Sequence, residues 1–141
     1  MMTQIEHARK GEITPIMNEV AAKENILPEL LRERISKGHV VIIKDHQNNS
    51  IPVGVGKGLG TKVNASIGTS SDIVDEELEL RKAKIAQDNG ADTLMELSVG
   101  GDLDRIRQKV IECVDIPVGN VPLYQAFCEA KSKKGDPDKL D

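Results

Sequence analysis

The chain has 141 residues, a formal net charge of −4 at neutral pH and a sequence pI near 5.4. This length suits one compact domain with a real core, and the acidic balance argues against general affinity for DNA or RNA, whose phosphates need a basic surface. The aromatic residues are Tyr124 and Phe127 alone, so the core must be aliphatic, which favours helices packed on parallel strands.

Charged residues occur throughout the N-terminus, and no run of about eighteen apolar residues occurs anywhere in the sequence. We therefore expect a cytoplasmic protein with no membrane partner. Cys113 and Cys128 match neither a zinc CxxC pair nor an iron–sulfur cysteine cluster, and we interpret both as buried thiols on helices. The histidines also lack metal-ligand spacing; they are His7, His39 and His46.

Residues 1–38 are predicted to be an N-terminal helical region. Thr14 is a good N-cap with Pro15 at the first helical position, and Pro28 opens a second helix that Gly38 should end. The residues expected on the inward faces of these helices are Met17, Val20, Ala21, Leu30, Leu31 and Ile35.

A strand and a glycine-rich segment are predicted for residues 39–60. His39–Lys44 contains a β-branched apolar run typical of a strand, and a polar turn follows at 45–50. The stretch Ile51–Asp72 carries five glycines, which are costly to order unless something uses them. It matches neither the dinucleotide fingerprint nor the P-loop, so a binding site and a flexible surface connection both remain open.

Residues 61–141 predict three βα units. The expected strands are Lys62–Ile67, Thr93–Leu97 and Ile116–Val121, and the expected helices are Asp75–Gln87, Asp102–Cys113 and Leu123–Lys133. In the first helix we expect Leu78, Ile85 and Ala86 to face inward, with a charged outer face that includes Glu79.

This alternation implies a parallel sheet with helices outside it. A (β/α)8 barrel needs roughly 250 residues. The predicted fold is therefore α/β, either a small open sheet or a helical region followed by the first βα units of an incomplete TIM-type barrel, with the polar tail as a connection.

Candidate functional residues fall at the ends of successive predicted strands. Asn64 interrupts a β-branched run, where an amide is disfavoured and expensive to bury. Met95 ends the next strand, and Tyr124 follows the third. Barrel enzymes place their sites at the carboxyl ends of such strands. The alternatives are an Asn satisfied by backbone, a Met in the core and a Tyr packed with its hydroxyl at the surface.

The turn 98–101 opens a predicted helix, so the backbone N–H groups at Gly100 and Gly101 could receive an anion. Asp102 is more simply the N-cap of that helix. No Ser-His-Asp, Cys-His or paired-carboxylate arrangement stands out. The residues by themselves do not reveal a reaction.

Four blocks of this sequence resemble the phosphomethylpyrimidine synthase family. They are MTQIEHARKGEITPIMNEVAAKE, GKGLGTKVNASIGTSSD, GADTLMELSVGGDLD and IPVGNVPLYQAF, in that order along nearly the whole chain. Four ordered blocks are a specific signal. The family's enzymes are longer, and this chain resembles their first third.

The resemblance implies a radical enzyme that uses a 4Fe–4S cluster and S-adenosylmethionine, with a divalent metal such as zinc, to rearrange aminoimidazole ribotide into the pyrimidine half of thiamine. It implies substrate contacts at Asn64, Met95 and Tyr124. The family's cluster cysteines and metal-binding histidines lie downstream, so this chain alone should be inactive. A homo-oligomer, such as a dimer, is the expected assembly.

Around the expected site, several residues differ from those usual in the family. Gly60 stands where an arginine is common, and the other departures are Ser66 for Asn, Glu96 for Asp, Val99 for Thr and Asn120 for Thr. These differences make the related 5-hydroxybenzimidazole synthase the alternative. That enzyme acts on the same ribotide to supply the lower ligand of a cobamide. The sequence favours the thiamine enzyme over this relative. A non-catalytic binding or assembly module is the third reading.

Overall fold

The computed structural model describes residues 2–45 and 50–136. The chain divides between Lys62 and Val63 into two compact units. The expectation for His46, most of the predicted polar turn and the end of the polar tail lie outside the described residues.

The first unit consists of three helices followed by two strands. They are α1 (Gln4–Arg9), α2 (Pro15–Lys23), α3 (Pro28–Ser36), β1 (Val40–Ile43) and β2 (Val53–Gly56). The predicted cap of α2 is confirmed, because the Thr14 hydroxyl accepts a hydrogen bond from the Met17 N–H at 3.2 Å. Gly38 follows α3 with a φ of +72°, a left-handed conformation that favours glycine.

The core of this unit is aliphatic, as the sequence predicted. Its buried members are Ala8, Met17, Val20, Ala21, Leu31, Ile35 and Val40. Leu30 was expected inside and is 38% exposed. The buried face of α3 follows the i, i+4 spacing of Leu31 and Ile35, and Leu30 is one position off that face.

β1 pairs with β2 in an antiparallel hairpin. The predicted strand at His39–Lys44 is confirmed, whereas β2 lies in the glycine-rich segment, where no strand was expected. A Cβ at position 54 would lie 2.6 Å from Val20 Cγ1. Glycine therefore lets β2 approach α2 closely, and its presence in a strand has a packing reason.

The second unit alternates strands and helices. Its elements are β3 (Asn64–Ile67), α4 (Glu76–Asp88), β4 (Thr93–Glu96), α5 (Leu103–Cys113), β5 (Val118–Asn120) and α6 (Pro122–Lys134). The strands form a parallel sheet in the order β3-β4-β5, which confirms the predicted α/β class and the parallel pairing. Three strands do not close a barrel, so the TIM-type barrel stays a prediction.

The two faces of this sheet differ in what covers them. Ile67 and Leu94 belong to the buried core formed with α4 and α5. Because side chains alternate along a strand, the opposite face carries the residues between them. In register across the three strands these are Ser66, Met95 and Gly119, preceded by Asn64 opposite Thr93. We call this second surface the open face of the sheet.

The predicted inward face of α4 is confirmed at Ala86 and wrong at Leu78 and Ile85. Leu78 is 36% and Ile85 61% exposed, whereas Glu79 is 3% exposed. The buried stripe of α4 contains Glu79 and Ala83, with Ala86 packed at its margin. A carboxylate can occupy this stripe because Glu79 accepts the Gly68 N–H at 2.8 Å and pairs with Lys82 at 2.5 Å.

Two isoleucines provide a matched test of this packing. Ile106 of α5 is 2% exposed and Ile85 of α4 is 61% exposed. We expect Ile106→Ala to lower the free energy of unfolding by about 2–5 kcal/mol through lost burial and a cavity, and Ile85→Ala to change it by less than about 0.5 kcal/mol. Urea denaturation followed by circular dichroism measures both. Equal losses would contradict the assigned face of α4.

Candidate functional site

The loops that follow β3 and β4 lie against each other at the carboxyl ends of the parallel strands. They comprise residues 68–74 and 97–101. Two backbone hydrogen bonds continue the parallel pairing past the strands, from Leu97 N–H to Ile67 O (2.9 Å) and from Val99 N–H to Thr69 O (3.1 Å). The two loops are thus joined as the strands are, and we call them the paired loops.

Glycines allow the paired loops to approach this closely. A Cβ at Gly68 would lie 2.6 Å from the Ser98 nitrogen, and one at Gly100 would lie 2.2 Å from the Ser70 carbonyl oxygen. Gly101 has a φ of +87°, which favours glycine. Close packing and backbone conformation therefore suffice to explain glycine at positions 100 and 101, and the expected anion contact stays a prediction.

A chain of buried polar groups links the two loops. The Glu96 carboxylate accepts the Ser98 N–H at 2.8 Å, and the Ser98 hydroxyl accepts the Thr69 N–H at 3.0 Å. The Thr69 hydroxyl donates to Gly100 O at 2.7 Å and accepts the Gly100 N–H at 3.3 Å. On the other side of Glu96, Arg107 Nε lies 3.9 Å from its carboxylate.

Sequence reasoning missed this chain of polar groups. Glu96, Ser98 and Thr69 are each at most 5% exposed. One signal was present, because Glu96 follows the apolar residues Leu94 and Met95 at the position of a buried strand end. A carboxylate there is expensive unless it is paired.

Asn64 and Met95 lie on the open face of the sheet. Asn64 is exposed, and its Oδ1 accepts the Thr93 hydroxyl at 2.9 Å. Met95 is half-buried and lies over Gly119, where a Cβ would be 2.8 Å from the Met95 sulfur. Asn64 is, however, the first residue of β3. The expectation that every candidate side chain lies at a strand's carboxyl end is therefore wrong for Asn64, because β3 continues for three residues after it, to Ile67.

Tyr124 lies in the first turn of α6, directly after β5. Its N–H donates to Val121 O at 3.0 Å, and the residue is 41% exposed. Asp102 is the N-cap of α5, as the simpler reading held, since its carboxylate accepts the Arg105 N–H at 3.1 Å.

The two cysteines are free thiols on different helices, α5 and α6, as expected, but both are only partly buried. Burial raises the pKa of the Cys113 thiol, and the Cys128 thiol donates to Val99 O at 3.4 Å. Across residues 2–45 and 50–136, no three His, Cys, Asp or Glu side chains are grouped to hold a metal ion. These residues do not fit an iron–sulfur cluster.

In the first unit, side chains of Arg34 and Glu24 form hydrogen bonds with the glycine-rich segment. Arg34 donates to Gly58 O at 3.2 Å, and the Gly60 N–H donates to the Glu24 carboxylate at 2.9 Å. Lys62 pairs with the same carboxylate at 2.8 Å, and both side chains are about nine-tenths buried. These contacts connect the segment to α3 and to the residue that follows α2, and both readings of the segment stay predictions. In the part of the chain that the structure describes, no helix is long and apolar enough to cross a lipid bilayer.

A parallel βα sheet with polar groups gathered at the carboxyl ends of its strands is the arrangement of α/β ligand-binding domains. The profile of the Radical SAM ThiC family matches residues 3–141, so this chain belongs to that family. It is 65% identical over its full length to a 5-hydroxybenzimidazole synthase of Geobacter sulfurreducens and 59% identical to one of Desulfuromonas acetoxidans. It is 51% identical, over 99% of its length, to phosphomethylpyrimidine synthase 2 of Methanosphaera stadtmanae. The chain spans 32% of the length of each of these curated relatives.

The bonds of Glu24 predict a dependence of stability on pH. Burial raises the pKa of this carboxyl, but hydrogen bonds from Lys62 and Gly60 outweigh burial, so its pKa lies below the usual 4.5. A lowered pKa in the folded state stabilises the fold above the unfolded value, and this contribution is lost as the pH falls through the folded value.

We therefore expect Glu24→Gln to lower the free energy of unfolding at pH 7, and the deficit to shrink as the pH falls below about 4.5. Urea denaturation across pH 3–7 measures the difference from the wild type. Glu19→Gln, on the exposed face of α2, the helix that Glu24 caps, is the matched control. A deficit that stays constant with pH would contradict the ion pair.

Proposed function

We propose that this chain is the N-terminal part of a radical S-adenosylmethionine synthase, and that the open face and the paired loops bind part of its substrate, aminoimidazole ribotide. The observation that carries the proposal is the shared face of Asn64 and Met95, two residues that the family resemblance assigns to the ribotide. They lie on adjacent parallel strands, and the loop that follows the strand of Met95 is fixed by buried polar groups.

Each side chain has a role suited to this ligand. Asn64 can donate and accept hydrogen bonds with the imidazole or ribose, and Met95 offers a polarisable thioether to the ring. The Tyr124 hydroxyl would donate a third contact from the start of α6. Phosphate binding at Gly100 and Gly101 stays a prediction, and at Gly100 the phosphate would have to replace the hydrogen bond with Thr69.

The sheet is proposed to be the first part of a TIM-type barrel. Its outer strands, β3 and β5, each have one unpaired edge within the described residues, and an edge strand accepts further pairing. Further strands of the protein would continue the barrel. The same edges suit the alternative reading, an assembly module or a homo-oligomer such as a dimer, if no further strands follow.

The reaction requires groups that this chain does not supply. The family implies S-adenosylmethionine and an iron–sulfur cluster, which would generate the radical, and the resemblance adds a divalent metal such as zinc and a carbon–carbon lyase reaction. We assign their ligands to other parts of the protein. The 141 residues alone should bind substrate weakly and not turn it over.

Of the two products, we propose 5-hydroxybenzimidazole first. The residues themselves favoured the thiamine pyrimidine. However, four relatives named 5-hydroxybenzimidazole synthase are 56–65% identical to this chain, and four named phosphomethylpyrimidine synthase are 51–54% identical. The pyrimidine phosphate is the second candidate, since both names occur among the relatives.

Product analysis distinguishes the two candidates. The full-length gene product, with its cluster reconstituted, is incubated with the ribotide, S-adenosylmethionine and a reductant, and the products are identified by mass spectrometry. We expect 5-hydroxybenzimidazole. Formation of the hydroxymethylpyrimidine phosphate would support the second candidate. Absence of both products would contradict the proposed function.

Removing the Asn64 amide tests the substrate contact. In calorimetric titration of the full-length gene product with aminoimidazole ribotide, we expect Asn64→Ala to weaken binding by about tenfold or more, as for the loss of a buried hydrogen bond. Asn18→Ala removes an exposed amide from α2 and serves as the control. Equal affinity in the wild type and Asn64→Ala would remove Asn64 from the site.

A further inference from the structure

Glu96 ends β4 and directly follows Met95, yet it lies on the side of the sheet that faces the helices. Its side chain is 2% exposed, and its neighbour two residues back on the same face is the core residue Leu94. A carboxylate buried among apolar groups costs stability unless it is paired. Its contacts therefore indicate what it does there.

Those contacts all lead into the paired loops or to α5. One carboxylate oxygen accepts the Ser98 N–H at 2.8 Å, and the other faces Arg107 Nε at 3.9 Å. Arg107 is held in turn, because it donates to Asp104 at 3.1 Å and to Gln125 at 2.8 Å. Glu96 thus joins the loop after β4 to the ordered surface of two helices.

The connection continues into the loop after β3. Ser98 accepts the Thr69 N–H, and Thr69 makes two hydrogen bonds with Gly100. Contacts at Gly68 and Gly100 leave no room for a Cβ between the loops. The Glu96 carboxylate therefore fixes the loop after β4 through the Ser98 N–H. The Ser98 hydroxyl and the backbone pairing then join that loop to the loop after β3.

We propose that Glu96 is a positioning residue for the ribotide site, acting through Ser98 and Thr69 rather than touching the ligand. This inference rests on the proposed function, since it names the residue that preorganises that site. Fixing the loops before the ligand arrives reduces the conformational entropy lost on binding. Removing the carboxylate should loosen the loops and weaken binding without unfolding the sheet.

The test compares four variants of the full-length gene product. Glu96→Gln keeps the shape and an acceptor for Ser98 but removes the charge that faces Arg107, and Glu96→Asp restores the charge. Thr69→Val removes the two hydrogen bonds between the Thr69 hydroxyl and Gly100 but keeps the N–H that Ser98 accepts, so it tests the paired loops separately if Glu96→Gln does not fold. Glu112→Gln removes an exposed carboxylate from α5 and is the control.

Two measurements are made on each variant: hydrogen exchange of residues 97–101 without ligand, and titration with aminoimidazole ribotide. We expect Glu96→Gln and Thr69→Val to exchange faster in this loop and to bind about tenfold more weakly. Glu96→Asp should recover most of the affinity, and Glu112→Gln should stay within about twofold of the wild type. In protein labelled with ¹³C-methyl methionine, a change in the NMR chemical shift of the Met95 methyl group reports a changed environment of this side chain.

The outcomes separate this inference from the function on which it rests. Unchanged exchange and affinity in both Glu96→Gln and Thr69→Val, with ribotide bound by the wild type, would overturn the positioning role alone. Absence of ribotide binding by the wild type would overturn the proposed function and the inference together. Weaker binding that Glu96→Asp does not recover would contradict the role of the charge.

Discussion

The parallel register of β3 against β4 is the constraint on which the second unit depends. It sets Ser66 opposite Met95 and Ile67 opposite Glu96, and because side chains alternate, it decides at once which residues enter the core and which remain on the open face. A shift by one residue would turn Leu94 outward and bring Met95 to the helices. The same register brings the two following loops together, so the packing of the core and the geometry of the candidate site have one cause.

The sequence predicted the elements well where local chemistry was decisive. The cap at Thr14, the proline at the start of α3 and the alternation of strand and helix after Lys62 all follow from side chains acting on their own backbone. The family, too, could be recognised, because the matching blocks are contiguous in the chain. These features need no knowledge of distant contacts.

The remaining features depend on contacts between residues far apart in the chain. From the sequence alone, Ile85 is interpreted as a core residue and Glu79 as a surface charge. The burial of Glu79 is explained only by its hydrogen bond from the Gly68 N–H, which cannot be seen in the local sequence. Strand β2 was not predicted because it contains Gly54, and the close approach of Val20 that requires a glycine there is not visible in the local sequence. For the candidate site, the residue types at 64 and 95 could be identified from the sequence. The position of Glu96 at a buried strand end was a signal too, but its partners, a loop amide and a helix arginine, could not be predicted.

The interlocking of the paired loops has a consequence for how such proteins diverge. The Ser70 carbonyl oxygen occupies the space that a side chain would need at Gly100, so position 100 cannot gain a side chain unless the loop after β3 moves. Substitutions at this position should therefore arise together with compensating changes in that loop. Under the proposed function, substrate preference would change more readily at Tyr124 of α6, which is partly exposed.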